Sequence, residues 1–218
     1  MPFVLSRLFD RYLAYAMLLI ALSLFLPKLK KKRGFAWKLP LCIAISFGII
    51  TGINYLENFI YGLLPMGEQF SSMKFLFSYV TSTLLAVTQF ALISATVYFC
   101  FASTLRESLF VSCACNALSE LARSLFLLIA IHLIEERTVF KMIWNPLVAA
   151  VYVLVYAAIY AGFFFYFLRR YELGQIDFFS KKILATLLIL FLTNAVMDTI
   201  SPPKDSPEAA SLYYFILI

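Results

Sequence analysis

The sequence predicts an all-α protein, a polytopic helical membrane bundle with six complete transmembrane helices and the start of a seventh. Three observations carry this prediction. Hydrophobic residues make up 63% of the 218 positions against 14% charged, and the mean hydropathy is +0.89, outside the range of soluble domains. Apolar runs of about 20 residues, the length a hydrocarbon core demands, recur with short polar joints between them. Basic residues gather beside these runs, where the positive-inside rule and anionic headgroups put them.

The runs read as spans at 9–26, 39–62, 75–102, 109–134, 147–168 and 183–199, with 212–218 as a truncated seventh, all within one integral membrane domain over 1–218. The first is long for a signal-peptide core and its Lys-rich cluster follows it, so it reads as a membrane helix. The second places Ala44, Gly48 and Gly52 at four-residue spacing, ahead of Asn54, Glu57 and Asn58. Small residues at that spacing predict close approach by a neighbouring helix. The third is rich in hydroxyls and carries Gln89; Thr81, Thr88 and Gln89 share a face that is expected to offer polar partners to the fourth helix. The fifth repeats the small-residue device with Ala157 and Ala161, and with Ala158 and Gly162. Pro202, Pro203 and Pro207 then stiffen a turn back toward the membrane. The segment 212–218 is too short to cross about 30 Å at 1.5 Å per residue, and a continuation of the reading frame is expected there.

The loops set the expected orientation. Lys28, Lys30, Lys31, Lys32, Arg33, Lys38, Arg106, Arg169, Arg170, Lys181 and Lys182 fall on one side, eleven of the eighteen basic residues. Arg7, Arg11, Lys74, Arg137, Lys141 and Lys204 fall on the other. The bias places the Lys-rich side in the cytoplasm and the N-terminus outside. A net charge of +6 arranged in this way speaks for a lipid surface and not for nucleic acid.

The fourth helix carries the chemistry. Ser112, Asn116, Glu120 and Arg123 follow an i, i+4, i+8, i+11 stripe and share one face. A charge at bilayer depth costs about 2.5–3.5 kcal/mol on insertion scales, so such a stripe must meet other helices or water. Glu120, Arg123 and Asn116 are therefore the leading candidates for a ligand or switch site, with Gln89 beside them. Glu57 is a weaker candidate, read more readily as an acid snorkelling at the outer end of its helix. Gly48, Gly52, Ala158 and Gly162 are assigned to helix packing.

Catalysis has little footing. The sequence contains no G-x-x-x-x-G-K-[ST], H-E-x-x-H, G-x-S-x-G or C-x-x-C. His132 is the single histidine, and the four cysteines all lie within predicted spans, where neither a disulfide framework nor a zinc site is expected. No enzyme activity and no cofactor are expected.

Residues 99–110, FCFASTLRESLF, resemble a recurring stretch in the membrane sensor regions of GHKL-type histidine kinases from Firmicutes. In those proteins a short cytoplasmic turn with a basic residue leads into a helix with polar residues one to two turns inside; here these are Asn116, Ser119 and Glu120. Many relatives have an amide followed by a histidine near this point, and Ser119–Glu120 departs from that. The Lys-rich first loop and the Arg169–Arg170 pair also match the family's layout. The resemblance implies a signal-sensing membrane region that feeds a cytoplasmic kinase module in a two-component system. Its partners would be the lipid bilayer, an extracellular peptide or small-molecule signal, and a second copy in a homodimer. The reading that competes with it is a small-molecule transporter or the substrate-binding membrane subunit of an uptake system.

Overall fold

The computed structural model describes residues 2–63, 71–133, 146–169 and 189. Five long helices account for nearly all of them: α1 (Pro2–Phe25), α2 (Phe35–Leu63), α3 (Ser71–Cys100), α4 (Leu105–Leu133) and α5 (Pro146–Phe163). Each contains a stretch long and apolar enough to span a membrane. The expected spans at 183–199 and 212–218, the proline-rich turn before the last, and the side chain of His132 lie outside the described residues.

Helices α1 and α4 form the centre. Helix α1 packs on α2, α3 and α4, while α4 packs on α1, α3 and α5. The shared core includes Tyr15, Phe25, Ile50, Ile93, Phe101 and Phe126, all fully buried. Large apolar side chains also cover the outside, among them Ile45, Ile49, Leu56, Phe59, Val153 and Leu154. An apolar exterior of this extent is what lipid requires and water does not tolerate. The chain is accordingly a multi-pass helical membrane protein.

The helix starts owe much to local chemistry. Helix α4 opens with a capping box: the Thr104 N–H donates to the Glu107 carboxylate at 2.7 Å, and the Glu107 N–H donates to the Thr104 hydroxyl at 3.3 Å. Helix α2 opens at Gly34, whose carbonyl accepts from the Lys38 N–H at 3.0 Å. Gly34 has φ +83°, and a Cβ there would meet Trp37 Nε1 at 2.5 Å, so glycine is required.

The basic loop between α1 and α2 is strapped to the α3–α4 turn. An isolated antiparallel bridge joins Lys31 to Phe101; the Lys32 N–H donates to the Cys100 carbonyl at 3.0 Å, and the Ala102 N–H to the Lys30 carbonyl at 2.8 Å. Lys32 also lies over the Tyr98 ring, 4.8 Å from its centroid. The motif at 99–110 thus forms one side of this strap and the cap of α4.

Helix α5 ends in a π turn, Phe164–Leu168, closed by the Arg169 N–H donating to the Phe164 carbonyl at 2.9 Å. Its buried stripe is Val148, Tyr152, Tyr156 and Tyr160. The stripe meets α1 through the Tyr160 hydroxyl, which donates to the Met17 carbonyl at 3.0 Å. It meets α4 through an edge-on contact of Tyr152 with Phe126 at 4.9 Å.

Among the described residues the small-residue stripes meet no close neighbour. Gly48, Gly52 and Gly162 have no described residue within 4 Å of where a Cβ would lie, and Ala158 is exposed. The physical reason is angular. The buried face of α2 is Ser46, Ile50, Asn54 and Glu57, two positions away from the glycine row and so on the opposite side of the helix. In α5 the tyrosine stripe occupies the packing face instead.

Candidate functional site

The polar residues of α1 to α4 converge in the half of the bundle away from the basic loop. Asp10 and Arg11 lie about ten residues along α1, Glu57 near the end of α2, and Glu120 midway along α4. They surround a cavity of about 350 Å³. Helix α1 contributes Asp10, Arg11, Leu13 and Ala14; α2 gives Glu57; and α3 gives Ser82, Leu85, Ala86 and Gln89. Helix α4 adds Glu120, Arg123 and Phe126, and α5 closes the wall with Tyr152 and Tyr156.

One side of the cavity is a tightly knit polar network. Arg11 forms an ion pair with Glu57 and donates to the Asn54 side-chain amide oxygen, Oδ1, at 2.6 Å. The Thr81 hydroxyl donates to the other Glu57 oxygen at 3.2 Å, and the Gln89 amide donates to the Arg11 backbone carbonyl at 3.4 Å. The Glu57 and Arg11 side chains are only 2% and 11% exposed. Glu57 therefore does not snorkel: its helix turns it inward, where Arg11 supplies the counter-charge that makes burial affordable. Tyr12 and Thr51 join hydroxyls one turn deeper along the same α1–α2 seam.

The opposite side is looser. Glu120 and Arg123 stand 3.6 Å apart on one helix, 37% and 38% exposed, and both line the cavity. Below them, Ser112 donates to the Ser108 carbonyl at 2.9 Å and Asn116 to the Ser112 carbonyl at 2.8 Å, so these two buried residues satisfy themselves on their own helix. Of the predicted polar stripe, Glu120 and Arg123 reach the cavity while Asn116 does not line it.

Among the described residues, the hydrogen bonds of the hydroxyl-rich face of α3 reach α1 and α2. Thr81 serves Glu57 of α2 and Gln89 serves α1, while Thr88 donates to its own Leu84 carbonyl at 2.8 Å. Asp10, Arg11, Tyr152 and Tyr156 were not singled out by sequence reasoning. Two signals could have found them: charges inside an apolar run for the first pair, and the i, i+4 tyrosine spacing for the second. Among the described residues no group of three or more His, Cys, Asp or Glu side chains is placed to hold a metal ion. Comparison with protein families, with curated proteins and with solved structures gives no match to this chain.

Proposed function

We propose that this chain is the membrane-embedded sensing region of a receptor, of the kind that feeds a histidine kinase, and that the cavity receives the signal. The single observation behind this reading is the convergence of five helices on one charged cavity in the half away from the basic loop. On the positive-inside rule that half faces the exterior. Arg11, one of the six basic residues set against that orientation, is held inside the bundle by Glu57 and so drops out of the count. A side-chain pair about one-third exposed does not face acyl chains without large cost, so the mouth of the cavity is wet. A ligand touching α1, α2, α4 and α5 together would shift their packing, and the strap carries displacement of the α3–α4 turn to the α1–α2 loop.

The test is thermal unfolding of the full chain in lipid nanodiscs against a panel of water-soluble metabolites and short peptides. A ligand at 100 times its Kd stabilises the folded state by about 2.7 kcal/mol, and that gain should vanish in Glu120→Gln or Arg123→Gln. A panel without a single stabiliser sinks the reading. The same cavity also suits a transporter or the substrate-binding membrane subunit of an uptake system, because its charged mouth leads to the centre of the bundle. Accumulation of the stabilising compound inside proteoliposomes would select that reading; binding without accumulation selects the receptor.

A further inference from the structure

The charges around the cavity do not cancel. Among the described residues on the lining, Glu57 is matched by Arg11 and Glu120 is paired with Arg123, which leaves the Asp10 carboxylate as the surplus charge. Asp10 Oδ1 is buried and has no hydrogen-bond partner among the described residues. Among the described residues, the Arg123 guanidinium acts on Asp10 and also stands 3.6 Å from Glu120. A carboxylate oxygen withdrawn from water without a donor is costly, and a positive ligand removes that cost.

Resting on the sensing reading, we propose that the cavity binds a small organic ammonium cation, with the Asp10 carboxylate as its counter-ion and the Phe126, Tyr152 and Tyr156 rings as its apolar wall. The chemistry favours an organic cation over a metal ion. A metal would need several oxygen or nitrogen ligands at one point, and the described residues offer no such group. An alkylammonium needs one carboxylate and the faces of aromatic rings, which attract a cation within about 6 Å of the centroid. The rings are at hand: Phe126 and Tyr152 lie 4.9 Å apart, and Tyr152 and Tyr156 4.5 Å apart, each lining the same space as Asp10. Three acidic and two basic side chains on the lining also bias entry against anions.

The experiment follows the labelling of Ala86→Cys, on the α3 wall of the cavity, by neutral methyl methanethiosulfonate in the full chain in nanodiscs. The unsubstituted protein supplies the background, and Ser82→Cys stands in if Ala86→Cys does not yield monodisperse protein. Methylammonium, choline and 3,3-dimethylbutan-1-ol, an uncharged shape-match of choline, are added in turn. A bound ammonium at ten times its Kd slows labelling about tenfold, the neutral alcohol does not, and Asp10→Asn restores the rate. Labelling unaffected by either ammonium, or slowed equally by the alcohol, or still protected in Asp10→Asn, overturns the proposal and leaves the wet cavity standing. Labelling of neither cysteine in monodisperse protein removes the cavity's access to water, and the sensing reading falls together with the inference.

Discussion

The two ion pairs of this bundle are built on opposite plans. Arg11 and Glu57 come from different helices, 46 positions apart, and are nearly sealed. Glu120 and Arg123 are three positions apart on one helix, 3.6 Å from each other and more than one-third exposed. The first pair joins α1 to α2 and is itself held by Asn54 and Thr81. The second pair lies within a single helix. The contrast teaches that a charge pair conspicuous in a membrane sequence need not be the one that maintains the fold. The sealed pair is spread over distant positions, and the local pair lines the cavity.

Breaking the sealed pair should have the largest effect. Glu57→Ala strands the Arg11 guanidinium inside the bundle and is expected to destabilise the protein by about 3–5 kcal/mol, read from reversible unfolding in bicelles. Replacing both partners with methionine should cost clearly less than Glu57→Ala alone, because no lone charge remains. A double variant worse than the single one would mean that the pair contributes more attraction than its desolvation takes away.

A middle-sized effect comes from the cap of α4. Thr104→Ala removes one half of the capping box and should cost about 0.5–2 kcal/mol in the same assay. Thr81→Val sharpens the comparison further: it takes one donor from Glu57 and leaves the ion pair, at an expected cost of about 0.6 kcal/mol and no more than about 1.7. The loose pair gives the smallest change in stability. Glu120→Gln should shift unfolding by no more than about 1 kcal/mol, as exposed pairs do, while eliminating stabilisation by ligand. A loss of several kcal/mol there would erase the distinction between the two pairs.

How much of this was legible beforehand follows from the range of each interaction. The periodic and compositional signals are local, and they located all five described helices. The expected 39–62 is observed as Phe35–Leu63, and 109–134 as Leu105–Leu133. The observed starts run earlier because the Gly34 and Thr104 caps let the helices begin among polar residues, outside the apolar stretch. The i, i+3 pair Glu120 and Arg123 was readable for the same reason. Arg11 was counted as a loop charge, since nothing near it in the chain announces Glu57. The glycine row of α2 meets no neighbour among the described residues, because small residues mark a face that can be approached closely without naming what approaches it. The tyrosine stripe of α5 was overshadowed by alanines and a glycine on the same helix.

The π turn at Phe164–Leu168 has a geometric consequence. Steps of four residues in an α-helix overshoot a full revolution by about 40°, so a stripe at that spacing winds steadily away from its neighbour. Three such steps carry the tyrosine row from Val148 to Tyr160. A wider turn at the end rotates less per residue and unwinds part of the accumulated drift, so Leu168 still points inward, 1% exposed. The five residues therefore act as a phase corrector for α5. Deleting any one of them would advance the exit of the chain by roughly a quarter of a revolution, enough to redirect whatever follows Arg169.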